Sequence, residues 1–392
     1  MKSSIEKRIK RHITGQEQTF FTVVSPGLEK ICEQELKALE TDIRDISLKK
    51  GGIEFKGRVH HSYHANLHLR TASRILMRIA EFKVTNFRQL LKKIEDFPWE
   101  LYLQNGHLPM LNTTSKRSRL FHKEAINETI LSGIGEIWGN RLPDTFSPDS
   151  RMPQQLFVRL VDDILTLSID SSGDLLYKRG IKTLKGKAPI RETIAAAALK
   201  IAGYDGSLPL IDPMCGAGTF SIESAMIKKS IPPGWFRDFA FMDWPSFQPG
   251  RWAHEKREAE KRIQPTGNPF IFASDKDETA CLQLSGTCQT FDLSQDIQVS
   301  CKDFFSFTPS RLTGQKGFVT INPPYGIRIG TEKESDEIFD SILQKLVRDY
   351  KGWKVIIIAA GVNKDKKIPF PSSRHPFLHG GLNLLLITGR IA

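Results

Sequence analysis

The sequence predicts an α/β chain in two parts: a mostly parallel, buried sheet in the C-terminal half that ends in an antiparallel hairpin, preceded by a smaller α+β module. Three observations carry this expectation. From residue 209 onward, short apolar runs alternate with helical stretches, the rhythm of a sheet covered on both faces. The last run, RHPFLHGGLNLLLITGRI, sets Gly380 and Gly381 between two strand-like segments. Before residue 180, shorter segments mix strand alternation with helical spacing, as in an α+β unit.

A length of 392 residues with 40% hydrophobic content leaves room for two or three domains and at least one large core. The net charge is +12, and it is uneven: residues 1–187 hold 31 Lys and Arg against 22 Asp and Glu, whereas the remainder holds 25 against 22. The N-terminal part therefore faces a polyanion, and nucleic acid is the expected class. No stretch of 18 apolar residues occurs and the first 20 residues lack an apolar core, so neither membrane insertion nor secretion is expected and the cytoplasm is the expected location. Cys32, Cys215, Cys281, Cys288 and Cys301 are odd in number and never spaced C-x2-C, which predicts reduced thiols and no zinc ribbon.

Phe20–Val24 reads as a strand, and SPGLEKICEQELKAL as a helix whose Pro26 follows an N-cap serine. GGIEFKG (51–57) is a returning strand, followed by a helix over 59–69, a basic strand over 74–84 and a helix over 87–94. Four histidines, His60, His61, His64 and His68, fall on the first of these helices. With no glutamate in the H-E-x-x-H arrangement, they read as a partly buried helix face and no metal is expected. Residues 106–139 put a basic loop, Lys116, Arg117, Arg119 and Lys123, before an amphipathic helix, a natural phosphate contact. After Pro153, two alternating strands with a Ser-Ser-Gly turn close the module near residue 180. KTLKGKAPIRETIAAAALKIAG then supplies a basic linker and an Ala-rich helix capped by Gly203.

In the second half, PLIDP runs into MCGAGTF, so Asp212, Gly216, Ala217 and Gly218 occupy the turn after the first strand, where α/β sheets bind ligands. The glycines let backbone N–H groups approach a ligand, and the helix from Thr219 points its positive end there. Ser221 stands where a dinucleotide fingerprint needs a third glycine, which disfavours a pyrophosphate cofactor. Asp212 suits instead a ligand with an amino group and a sulfonium, as in S-adenosylmethionine. Asp275 ends the second strand, placed for ribose hydroxyls, and Asp303 follows the third, placed for an adenine amine. Residues 231–266, rich in Pro, Trp and charge, form an insertion expected to elaborate the rim of the site.

INPPYG (321–326) closes the fourth strand. An exocyclic aromatic amine is a poor nucleophile until its hydrogens are held and its nitrogen drawn toward tetrahedral geometry. Asn322 and the Pro323 carbonyl can accept those hydrogens, Pro324 stiffens the turn, and Tyr325 offers a stacking face. No cysteine follows a proline in a strand-end loop, so covalent attack on a pyrimidine is not indicated; Cys215 is placed to touch the cofactor.

With these residues in place, the chain resembles the THUMP-domain, class I S-adenosylmethionine-dependent RNA guanine-N2 methyltransferases of the RlmL/YpsC (UPF0020-like) type. TVVSPGLEKICEQEL and GGIEFKG resemble the start of the family's N-terminal module, LYKRGIKTLKGKAPIRETIAAAAL its interdomain segment, and LIDPMCGAGTFSIESAM and NPPYG its cofactor and catalytic motifs. The resemblance implies a Rossmann-like, seven-stranded methyltransferase sheet over 181–392, a ferredoxin-like part over 19–72, a THUMP RNA-binding part over 73–180 and a basic extension over 1–18. It implies cofactor contacts at Asp212, Gly216, Gly218, Asp275 and Asp303, with Arg191 and Thr193 at the methionine end. Met214, Cys215, Ala217, Thr219, Lys276 and Phe304 are taken as neighbouring contacts, and Asn322, Pro323 and Tyr325 as target-amine contacts. The implied substrate is a guanine in 23S ribosomal RNA, free or in a precursor particle, and the end at Ala392 implies no second methyltransferase domain. Adenine-N6 methylation and a non-catalytic RNA-binding assembly factor remain the alternatives.

Overall fold

The computed structural model describes residues 4–104, 108–137, 154–181, 190–265, 267–323, 332–360, 363 and 365–392. A short helix, α1 (Ser4–Ile9), and one wider turn (Lys10–Thr14) bury Ile13 in the core. The first sheet is built from β1 (Gln18–Val24), α2 (Glu29–Ala38), β2 (Arg44–Lys49), β3 (Gly52–Gly57), α3 (Val59–His68), β4 (Ala72–Lys83), α4 (Phe87–Glu95), β5 (Met110–Lys116), α5 (Lys123–Ile137), β6 (Gln155–Val161) and β7 (Ile164–Asp170). Its order is β2-β3-β1-β4-β7-β6-β5, antiparallel except between β5 and β6. The long strand β4 pairs with β1 on one side and β7 on the other, so one continuous sheet spans the N-terminal module.

Four local expectations are corrected here. The helix after β1 starts at Glu29, because Ser25 accepts from the Leu28 N–H in a turn and Gly27 takes φ +96°. A Cβ at Gly27 would stand 2.4 Å from the Pro376 carbonyl, so the turn is spent on contact with the C-terminal hairpin. Strand β2 was not foreseen; it is an edge strand with no buried side chain, and its alternation is correspondingly faint. Edge strand Met110–Lys116 was likewise not foreseen, and it leaves Lys116 at a strand end and Lys123 at a helix start, with Arg117 and Arg119 in the loop between them. Finally, β6 and β7 are joined by Asp162 and Asp163 at φ +52° and +62°, the left-handed pair a two-residue hairpin requires, while Ser171-Ser172-Gly173 leads out of β7.

The second sheet comprises α6 (Glu192–Ile201), β8 (Leu210–Asp212), α7 (Thr219–Lys228), α8 (Pro249–Arg262), β9 (Ile271–Asp275), α9 (Glu278–Thr290), β10 (Ile297–Cys301), β11 (Phe318–Ile321), α10 (Glu332–Asp349), β12 (Lys354–Ala359), β13 (Ser372–His379) and β14 (Leu382–Arg390). The order β10-β9-β8-β11-β12-β14-β13 is parallel through β12 and antiparallel in the last two pairs, as the sequence predicts. Alternation along β12 explains its unbroken apolar run: Val355 and Ile357 enter a core closed by Phe339, Ile342 and Leu346 of α10, whereas Ile356 and Ile358 enter the core on the opposite face. That opposite core is continuous with the apolar interior of the N-terminal module. No helix among the described residues is long and apolar enough to cross a membrane.

The insertion between α7 and β9 does not simply edge the strand tips; it packs on the N-terminal module, because its aromatic side chains need an apolar partner. Phe241 stacks on Tyr63 of α3, the Tyr63 hydroxyl accepts from the Gln248 N–H, and Arg237 donates to the carbonyls of Ser172, Asp174, Leu175 and Lys178. Beneath this lies an ion cluster. Glu223 of α7, with no exposed side-chain surface, accepts from Arg179 at 2.8 and 3.3 Å and faces Arg70 at 3.5 Å. Arg179 also donates to the Arg70 carbonyl at 2.7 Å. Removing one member of such a buried pair strands its partner's charge, which costs about 3–5 kcal/mol. Glu223→Ala is therefore expected to lower the denaturant midpoint of the whole chain strongly, while Glu258→Gln, on the exposed face of α8, leaves it in place. Equal midpoints for the two variants would remove Glu223 from this role.

Candidate active site

The order of the second sheet reverses at β8, with β9 and β10 on one side and β11 on the other. Parallel pairing brings the carboxyl ends of all four strands to one edge: Asp212 lies opposite Ala273, Asp275 opposite Cys301, and Val319 opposite Ile211, so Asn322 leaves β11 two residues beyond the level of Asp212, toward the loop that follows β8. This is the crevice in which open α/β sheets bind ligands.

The loop from β8 to α7 is shaped by its neighbours. Gly218 takes φ +76° and caps α7, and a Cβ there would meet the Leu284 Cδ1 of α9 at 2.3 Å. Gly216, at φ +51°, has nothing within 4 Å of the place a Cβ would occupy, which leaves open space beside the helix start. Asp275 holds the loop by accepting from the Gly216 N–H at 2.9 Å, and its other oxygen accepts from the Asp277 N–H at 3.0 Å. Cys215 donates its N–H to the Ser274 carbonyl, which ties the same loop to the end of β9.

Asp212 is 1% exposed and accepts from the Ser221 hydroxyl at 2.7 Å. The side chain that departs from the dinucleotide fingerprint thus orients the first-strand acid, a role the sequence reading missed. Burial raises Asp212 to about 6, against the opposing hydrogen bond from Ser221. Burial also pushes the Cys215 thiol well above its ordinary range, with Asp212 and Asp275 adding to the effect, so this sulfur is not a nucleophile near neutral pH. The Asn322 Oδ1 is buried with no hydrogen-bond partner among the described residues, and Pro323 beside it is buried. An orphaned acceptor at a strand tip is a site waiting for a donor. Ser274 Oγ and Thr193 Oγ1 are buried and unpartnered in the same sense, and the serine was not anticipated.

The remaining residues are distributed unevenly. Met214, Ala217 and Thr219 lie in or beside the glycine loop, and Lys276 is exposed just past Asp275. Asp303 spends one oxygen on the Phe305 N–H at 2.7 Å, and the Phe304 ring is in the core near Tyr350 with the Lys345 Nζ over it, so it offers a ligand little surface. Arg191 stands at the N-cap of α6 with its guanidinium over Tyr177. Pro324 and Tyr325 lie outside the described residues, as does the linker over 182–189. The basic loop belongs to the other sheet. There Arg117 makes a bidentate pair with Asp162 at 2.8 Å, and the Arg119 N–H bonds Asp163 at 2.7 Å, so the hairpin acids orient the loop while Phe121, 63% exposed, projects from it.

Known proteins resemble this chain over nearly its whole length. Residues 179–367 match the family described as RMKL-like, methyltransferase domain (UPF0020), and residues 19–76 match the RlmL ferredoxin-like domain. "Putative RNA methyltransferase slr0064" of Synechocystis sp. is 29% identical over 371 residues, 94% of this chain and 95% of that one. The "Ribosomal RNA large subunit methyltransferase K/L" of Methylococcus capsulatus is 30% identical over 92% of this chain, which spans only 50% of that longer protein. The crystal structure of SMU.472, "a putative methyltransferase complexed with SAH", superposes with a TM-score of 0.82 at 26% identity, covering 95% of this chain and 98% of that one. The chain thus joins a domain of the RlmL ferredoxin-like family, over residues 19–76, to a domain of the RMKL-like methyltransferase family, over residues 179–367.

Proposed function

We propose that this protein transfers a methyl group from S-adenosylmethionine to the exocyclic N2 amine of a guanine in large-subunit ribosomal RNA, in the cytoplasm. The observation that carries the reading is the unsatisfied Asn322 Oδ1 at the tip of β11, beside the glycine loop of β8. The chain's own residues fit the cofactor: open space at Gly216, the start of α7, and the Asp212 and Asp275 carboxylates lie on one edge of one sheet. Bound there, S-adenosylmethionine supplies an electrophilic methyl on a sulfonium. Asp275 is positioned for the ribose hydroxyls while bracing Gly216, and Asp212 offers negative charge toward an ammonium. Met214, Cys215, Ala217, Gly218 and Thr219 form the floor, with Lys276 and Asp303 toward the adenine, Phe304 backing them from the core, and Arg191 and Thr193 toward the methionine.

Asn322 accepts one amine hydrogen and the Pro323 carbonyl the other, which holds the nitrogen lone pair out of the ring and aimed at the methyl. Correct in-line placement then supplies most of the acceleration. Pro324 and Tyr325 follow in the sequence and are assigned the stiffening of the turn and the stacking of the base. An RNA substrate is supported by the basic N-terminal module, by the oriented loop of Lys116, Arg117, Arg119 and Lys123 with exposed Phe121, and by the names of the relatives.

Transfer of tritium from labelled S-adenosylmethionine to ribosomal RNA of a deletion strain, followed by nucleoside analysis, is expected to place the label in N2-methylguanine. Label in N6-methyladenine overturns the guanine assignment, and no label in any RNA favours a binding protein. Asn322→Ala is expected to retain cofactor affinity while transfer falls at least about a hundredfold, the scale of general acid–base and positioning effects. Asp275→Ala is expected to weaken cofactor binding about tenfold or more, the worth of a hydrogen bond to a charged group; equal binding losses in the two variants contradict this division. A pH series adds a third check. With Asp212 near 6, its carboxylate is ionised above that pH and neutral below it, so cofactor affinity should fall as the pH drops through 6. Asp212→Asn should bind weakly with no such inflection.

A further inference from the structure

We propose that His64, His68 and Glu255 form a site for a divalent transition-metal ion, with zinc as its natural occupant, that clasps the N-terminal module to the methyltransferase domain. The two histidines lie one turn apart on α3, and their rings stand 4.4 Å apart between centroids. Glu255 comes from the middle of α8, 191 residues beyond His64, and its Oε2 lies 2.7 Å from the His64 Nδ1. One ligand atom from each of the three residues falls within 4.8 Å of the others. Zinc bonds of about 2.0–2.1 Å place tetrahedral donors roughly 3.3 Å apart, so side-chain rotations bring the three donors within bonding distance of one ion. Two imidazoles and one carboxylate are a donor set that zinc accepts, with a fourth position left for water.

The surroundings favour a built site over a chance encounter. His64 and Glu255 keep 17% and 20% of their side-chain surface, enough for an ion to enter and too little for the side chains to wander. Both helices are held by contacts independent of the three residues. The Tyr63 hydroxyl of α3 receives the Gln248 N–H at the start of α8, and Lys256, next to Glu255, donates to the Trp235 carbonyl at 2.8 Å. Arg262, one of two basic residues in the last turn of α8, pairs with Glu40 at 3.4 Å. The two histidines one turn apart on α3 supply a pair of ligands from one helix, and Glu255 supplies the third from across the junction of the two modules, which makes the ion a crosslink. An ion bound only by the docked state stabilises that state by mass action.

The test uses the full chain, free of any histidine tag and stripped with a chelator. Zinc is titrated in competition with a chromophoric chelator, and cobalt(II) is added separately to read ligand-field bands in the visible spectrum. The wild type is expected to bind one zinc per chain, show cobalt bands of a low-coordinate nitrogen and oxygen site, and unfold at a higher temperature with zinc than without. Glu255→Gln retains a hydrogen-bond acceptor for His64 and so preserves the fold, yet should lose at least about tenfold in zinc affinity and the zinc-dependent rise in unfolding temperature. His68→Ala should do the same, whereas His60→Ala, on the same helix outside the set, should bind as the wild type does. Absence of stoichiometric binding by the wild type overturns the proposal, and so does undiminished binding by Glu255→Gln, which would assign the ion to the cysteines or the surface.

Discussion

Glu223 carries a full carboxylate into an interior that excludes water, and the docking of the two modules is organised around satisfying it. Its counter-charges come from outside the second sheet: Arg70 from the turn between α3 and β4, and Arg179 from the segment that leaves the first sheet. Separating the modules would take both guanidiniums from the carboxylate and strand it, so the N-terminal module is fixed in orientation as well as attached. Glu223 also sits on α7, the helix that opens from the glycine loop. One helix thus borders the strand-tip crevice at its start and the domain junction along its length.

The crevice shows how few side chains a parallel sheet needs to shape a site. Asp275 and Ser221 do not simply await a ligand; one braces Gly216 and the other orients Asp212. Leu284 enforces the glycine at 218 by occupying the volume of a side chain, while the space at 216 stays open. Preorganisation of this kind means that the loop need not be rebuilt when a ligand arrives, and the ordering cost is met during folding.

On the first sheet, the basic loop after edge strand β5 is also organised in advance. Asp162 and Asp163 adopt left-handed backbone geometry to close the β6–β7 hairpin, and the same two carboxylates hold Arg117 and Arg119. These arginines remain more than half exposed, so the pairing orients them without removing them from solvent. Exposed pairs of this kind add little stability, so their effect is on the shape of the surface.

Much of the second sheet was legible in the residues alone, because buried parallel strands are short, continuous apolar runs bounded by turn residues, and because Asp212, Gly216, Gly218, Asp275 and Asn322 fall at their ends. The C-terminal hairpin was legible for a related reason: two glycines between alternating runs permit little else. Strands β2 and β5 escaped, since edge strands bury almost nothing and leave little periodicity to read. Only the tertiary structure could place Glu223 between two arginines, direct the aromatic insertion onto the N-terminal module, or carry Glu255 to His64. Local propensity and periodicity act over a few residues and write themselves into the sequence, whereas these contacts join residues tens to hundreds of positions apart and exist only once the two cores have closed together.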